Sequence, residues 1–150
     1  MKILVINGPN LNLLGEREPD VYGDDSLQSI NDQLQGRAIE MGIELSFFQN
    51  NSEGRIVDEL HAARLEYDGV ILNAGAYTHY SYAIRDAIAA IKIPVIEVHL
   101  SNVDSRDEFR KNSVIAPVCL GSIAGFGKYS YTLAMMALQF LAAENQGEQR

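Results

Sequence analysis

Five short apolar runs alternate with stretches of helical periodicity, and this alternation constrains the chain more than any other feature. The runs lie at residues 3–6 (ILVI), 43–48 (IELSFF), 70–72 (VIL), 95–100 (VIEVHL) and within 114–123 (VIAPVCLGSI). Between the first two, Leu27, Ile30, Leu34, Ala38 and Met41 recur at three- and four-residue steps and share one helical face. Ile56, Val57, Leu60, Ala63 and Tyr67 form a second stripe; Tyr80, Ala83, Ile84, Ala87, Ile88 and Ile91 form a third. A short helix is expected near 104–111 and a last one from about Lys128. Asp25-Ser26-Leu27-Gln28 reads as a helix start with an acidic cap, Gly42 as a stop, and Asn50-Asn51-Ser52 as a further cap. Strands that are apolar throughout need cover on both faces, which crossover helices on a parallel sheet provide. The expectation is a flavodoxin-like, doubly wound α/β fold with five parallel strands, one domain over 1–150, with 144–150 as a frayed polar tail.

Composition then removes several classes of function. A net charge of -8, with no local cluster of Lys and Arg, argues against a sequence-independent nucleic-acid binder. A few arginines can still make a local site for a small anion. The single cysteine, Cys119, excludes an internal disulfide and reads as a buried, inert thiol. The N-terminal MKILVINGPN is too short a pattern for a signal peptide, and the longest apolar stretch, 131–143, is too short to span a bilayer. A cytoplasmic protein with no membrane partner is expected. The last helical stretch is apolar nearly all round, so it needs a second cover, and self-association is one way to supply it.

Open parallel sheets bind ligands beyond the carboxyl ends of their strands. The residues there are Asn7 to Asn10 (NGPN), Asn73 to His79 (NAGAYTH), Glu97 to Asn102 (EVHLSN) and Gly121 to Gly127 (GSIAGFG). Glu97 and His99 are two apart on a strand and so share a face. A carboxylate beside an imidazole fixes its tautomer and strengthens its hold on a proton, as a general acid or base requires. The same pair also occurs as a buried structural contact. His79, His99 and Glu97 contain the residue types of a metal site, but their spacing fits no compact metal motif. His61, inside a helix among charged neighbours, reads as a surface residue. GFGKY lacks the first glycine and the hydroxyl residue of a phosphate loop, and Asn7 and Asn73 stand where a phospho-acceptor domain needs acids.

The connection after the first strand runs from about Gly8 to Asp24, well beyond the usual 2–6 residues or so. It carries Arg17 and Tyr22 to the same sheet edge as the two histidines. A guanidinium held against a phenol favours the phenolate, which can take a proton from carbon beside a carbonyl. By spacing alone the two could equally be surface groups, and Tyr77 and Tyr82 stand as alternative bases.

INGPNLNLLGxREPxxYG, NAGAYTH, IPVIEVHLSN and RDEFR, in that order and spread over nearly the whole chain, resemble the type II 3-dehydroquinate dehydratases. The resemblance implies anti elimination of water from 3-dehydroquinate through an enolate, giving 3-dehydroshikimate, with no metal, Schiff base or other cofactor. That step serves both aromatic biosynthesis and quinate breakdown. By the same resemblance Tyr22 is the base at C2, with Arg17 lowering its proton affinity. His99 is the acid that protonates the departing hydroxyl, Glu97 orients His99, and Asn10 holds a water at the enolate oxygen. Asn73, the backbone around Leu100 and Ser101, and the Ser101 hydroxyl bind the substrate carboxylate, while His79 and Arg110 hold ring hydroxyls. Asp86 matches a residue lent to a neighbouring subunit in a homododecamer of four trimers, and the long loop matches a lid. Ala74, Tyr80, Lys111 and Ser130 depart from the residues usual in that family. A non-catalytic binder of a cyclic acid and a flavin or nucleotide binder are the competing readings.

Overall fold

A computed structural model describes residues 1–16, 19–22 and 24–148. Five strands, β1 (Lys2–Asn7), β2 (Glu44–Gln49), β3 (Gly69–Asn73), β4 (Val95–His99) and β5 (Gly121–Ala124), make one sheet. All neighbours are parallel and the order is β2-β1-β3-β4-β5, the flavodoxin-like arrangement. The helices are α1 (Pro19–Tyr22), α2 (Leu27–Met41), α3 (Glu53–Glu66), α4 (Tyr82–Ile91) and α5 (Tyr129–Glu148).

Alternation along the strands divides the interior into two cores. Ile3 and Val5 of β1, Ile71 of β3 and Ile96 and Val98 of β4 pack with α2 and α5. Leu4, Ile6, Val70, Leu72 and Val95, one step out of phase, pack with α3 and α4. Each full burial of such a side chain is worth about 1.5–3 kcal/mol, so these two layers set the face on which every later residue lies. Asn7 and Asn73 continue the α2/α5 side, and Glu97 and His99 the α3/α4 side.

Several boundaries differ from those read in the sequence. The cap of α2 is Ser26, whose Oγ accepts from the Ser29 N–H at 3.1 Å; Asp25 instead pairs with Lys128 at 3.4 Å. A serine hydroxyl one position nearer the first turn reaches the orphan N–H that Asp25 cannot. Ser52 caps α3, and Gly42 ends α2 with φ of 70°, both at the positions expected. Tyr80 lies before α4 and is exposed, because Ser81 caps that helix through Ile84 N–H. The expected helix near 104–111 is two 3-10 turns, Val103–Ser105 and Glu108–Lys111. The stretch before β5 contains a third such turn, Ala116–Val118, so the strand itself begins only at Gly121. Residues 144–148 are helical rather than a frayed tail, since α5 runs through Glu148. Among the described residues no helix is long and apolar enough to cross a membrane.

Candidate active site

The loops after β1, β3 and β4 meet at one edge of the sheet. Gly8 donates its N–H to the Asn73 carbonyl at 2.8 Å. A Cβ on Gly8 would lie 2.6 Å from the Ala74 carbonyl oxygen, so only glycine permits this approach. Asn10 follows in a left-handed conformation, φ 69°, which asparagine tolerates better than most residues. Its N–H donates to Asn51 Oδ1 at 3.1 Å, and Gln49 Nε2 donates to the Gly8 carbonyl and to Asn51 Oδ1. β2 thus braces the loop that presents Asn10.

Behind that loop, a buried chain of polar groups joins three elements. Asn73 Nδ2 donates to the Tyr131 hydroxyl at 3.0 Å, and that hydroxyl donates to Asn7 Oδ1 at 2.5 Å. Asn73 Oδ1 accepts from the Gly75 N–H at 3.2 Å. One of the two Asn73 amide protons is therefore used internally. Burial pushes the Tyr131 phenol well above its ordinary range, so it stays neutral and acts only as a relay of hydrogen bonds.

The cavity at this edge has a volume of about 150 Å³ and is lined by Asn10, Asn73, His79, His99, Arg106 and Arg110, together with Leu100 and Ser101. That is room for a compact ring molecule, below the roughly 300–1,000 Å³ of drug-sized pockets. Two arginines and two imidazoles on so acidic a chain suit an anionic ligand. A larger hollow of about 790 Å³ lies at the opposite edge, beside Met1, Pro94 and Cys119, and has no histidine or arginine in its wall. Size does not decide between the two; the convergence of acid-base and cationic groups does.

His99 Nε2 stands 2.9 Å from Glu97 Oε1. The carboxylate is 2% exposed and the ring 12%. Burial pushes the Glu97 carboxyl up, but hydrogen bonds from His99, Ser113 and Ser122 outweigh it and hold it below the usual carboxylate range. An ionised carboxylate only accepts, so Nε2 carries a hydrogen and Nδ1 is the nitrogen that gains or loses a proton. His79 stacks against His99 with ring centroids 6.5 Å apart, and its Nδ1 faces the Asn112 carbonyl at 2.8 Å. A carbonyl only accepts, so Nδ1 carries the hydrogen and Nε2 is the acceptor in the neutral ring. Burial lowers the proton affinity of His79, against the Asn112 hydrogen bond and with His99 and Arg110 adding to the decrease.

The structure thus brings together Asn10, Asn73, His79, His99, Leu100, Ser101 and Arg110 around one cavity, with Glu97 directly behind His99. Asp86 is exposed on α4 and does not line the cavity of its own chain. Arg17 lies outside the described residues, and so does the side chain of Tyr22; the backbone of Tyr22 ends α1. Tyr77 donates its hydroxyl to the Asn51 carbonyl at 2.7 Å, and Tyr82 is exposed, so neither alternative base faces the cavity. His61 is exposed, as its charged surroundings suggest. Cys119 is half-buried, and burial, with the nearby Glu97 charge, pushes its thiol up to about 12. Among the described residues no group of three His, Cys, Asp or Glu side chains is placed to hold a metal. Sequence reading missed Arg106 as a wall residue; it lies between the two 3-10 turns, where no helical period marks it. It also missed Ser113 and Ser122, which no motif marks.

The family model described as class II dehydroquinase matches residues 1–139. A 3-dehydroquinate dehydratase of Exiguobacterium sp. is 63% identical over 138 residues, covering 92% of this chain and 94% of that protein. Another, from Pelotomaculum thermopropionicum, is 58% identical over 142 residues, covering 95% and 99%. The crystal structure of a type II dehydroquinase from Butyrivibrio crossotus superposes with a TM-score of 0.92 at 48% identity, over 93% of this chain and 97% of that one. The chain belongs to the class II dehydroquinase family.

Proposed function

We propose that this protein is a hydro-lyase that converts 3-dehydroquinate to 3-dehydroshikimate, with Tyr22 as tyrosinate base and His99 as general acid. The observation that carries the reading is the Glu97–His99 couple, with His99 in the wall of a small cavity also lined by His79, Arg106 and Arg110, in a chain of this family. The phenolate of Tyr22, kept deprotonated by Arg17, takes the C2 proton. The electron pair moves to the carbonyl oxygen, and a water held by Asn10 stabilises the enolate. The enolate reforms the carbonyl as the C1–oxygen bond breaks, and His99 delivers its proton to the leaving hydroxyl, which departs as water. Tyr22 then holds one proton too many and His99 one too few, and exchange with solvent resets both.

The remaining groups bind. The second Asn73 amide proton, the backbone around Leu100 and Ser101, and the Ser101 hydroxyl receive the substrate carboxylate. Arg110 and the Nε2 of His79 hold ring hydroxyls. Asp86 serves the site of a neighbouring subunit in a homododecamer of four trimers, which is consistent with its exposure on α4. The working location is the cytoplasm.

The product enone absorbs in the ultraviolet, so purified protein mixed with 3-dehydroquinate is expected to show rising absorbance. No rise at any pH from about 6 to 9, the range in which an imidazole and an assisted phenol exchange protons, would sink the assignment. Tyr22→Phe and His99→Ala are each expected to lower kcat by at least about 100-fold, with much smaller effects on KM. Near-normal kcat in Tyr22→Phe would move the base elsewhere.

A further inference from the structure

Glu97 has more partners than orienting a histidine requires. Its Oε1 accepts from His99 Nε2 at 2.9 Å and from Ser113 Oγ at 2.7 Å, and its Oε2 accepts from Ser122 Oγ at 2.8 Å. The carboxylate is buried at 2% exposure, so protein groups rather than bulk water supply its donors. The two serines come from different places. Ser122 lies on β5 in direct register with Glu97, and Ser113 lies in the loop that follows the Glu108–Lys111 turn. The Ser113 hydroxyl has a fixed direction, because its oxygen accepts from the Ala116 N–H at 3.0 Å and its hydrogen is left for Glu97.

We propose that Ser113 and Ser122 are positioning residues for the acid step: by donating to Glu97 they spread its charge and so set how readily His99 releases its proton. A carboxylate with no other donor concentrates its charge on the imidazolium and grips that proton. The same carboxylate with two further donors still fixes the tautomer but pulls less strongly. A general acid works best when it is protonated at rest yet gives up its proton in the transition state. Ser113 shares Oε1 with His99 and so acts more strongly than Ser122, which takes the other oxygen. Other charged or titratable groups also meet this region among the described residues. His79 approaches from the turn after β3, Arg106 and Arg110 from the turns after β4, and Cys119 from the segment before β5, its thiol neutral. The His79 ring and the Cys119 thiol feel the Glu97 charge through space, whereas the two serine hydroxyls donate directly to its oxygens and so act on the carboxylate itself.

This inference rests on the assignment of His99 as the acid, and its test is built to fail separately from that assignment. The test is an NMR titration of the His99 ring in the full-length protein, with the pH profile of kcat measured alongside. In Ser113→Ala the midpoint of ring deprotonation is expected to move to higher pH by about half a unit or more. A smaller move in the same direction is expected in Ser122→Ala. Ser113→Thr, which keeps the hydroxyl, is expected to restore the original midpoint, and the basic limb of kcat should follow the ring. An unchanged midpoint in both alanine variants, or a shift that Ser113→Thr fails to reverse, overturns the proposal. If Ser113→Ala does not fold, Ser122→Ala, on an exposed edge-strand position, decides by the same reading. The titration needs no turnover, so failure of the dehydratase assay would remove the assigned reaction while leaving this result readable.

Discussion

The His79 ring has given up hydration to sit between Asn112, His99 and Arg110, and its proton affinity falls below the ordinary 6.5. On acidification the unfolded chain therefore binds this proton before the folded one does, and stability is lost as pH falls from 6.5 through the folded value. Glu97 acts lower on the scale and in the same direction. Its carboxyl is held below 4.5, so the stability it contributes is complete above that pH and is lost as pH falls through its folded value. Urea midpoints at neutral pH and at about pH 5.5, a value chosen below the usual histidine range, are expected to show a loss that His79→Gln reduces. An equal loss in the variant would remove His79 from the account. Gly8 offers a second check at this scale. Gly8→Ala forces a methyl group onto the Ala74 backbone, which costs about 1–3 kcal/mol and parts the loops that present Asn10 and Asn73. A variant as stable as the parent in urea would contradict that. The Glu97–His99 pair was legible in the sequence, because a strand repeats every two residues. The serines behind it were not, because their approach depends on the register of β5 and on a loop with no periodic signal.

The elements of this fold are fastened at their starts by serines. Ser26, Ser52 and Ser81 cap α2, α3 and α4. Ser81 does more than cap: its Oγ accepts from the Ile84 N–H at 3.0 Å and donates to Glu53 Oε2 at 2.6 Å, tying α4 to the first turn of α3. Ser81→Ala is expected to cost about 1–2 kcal/mol, read from chemical denaturation, and Ser81→Thr to recover much of it. A cost near zero would mean that the cap and the tie are dispensable. The five strands and the long helices were readable from hydrophobic period alone. The choice between α-helix and 3-10 turn over residues 103–118 was not, since short segments follow the loops around them rather than their own propensity. The helical end of α5 was hidden for a related reason. Polar residues such as Glu144 and Asn145 read as tail, yet a helix already nucleated upstream extends through them at little cost.

At the scale of the whole molecule, α5 buries Tyr131, Ala134, Met135 and Leu138 against the sheet and α2, which accounts for one side of its apolar surface. Leu133, Phe140 and Leu141 remain exposed at 40%, 60% and 39%. Such a surface on a chain of this charge is consistent with burial between subunits. Light scattering with size exclusion is expected to return about twelve times the chain mass at micromolar concentration, and a monomer peak would refute the proposed assembly. The order of the strands was readable only as a class, because β1 and β3 become neighbours through contacts far apart in the chain. Those two strands end in Asn7 and Asn73, and the clasp that joins them, Tyr131, comes from the last helix. In the order of synthesis β1 and β3 both precede α5. Before α5 is made, a nascent chain already carries Asn10, Asn73, His79 and His99, yet lacks the hydroxyl that bridges Asn7 and Asn73. The bridge between β1 and β3 therefore cannot close until α5 has been made, so two strands that pair early are locked at their ends only by a residue synthesised much later.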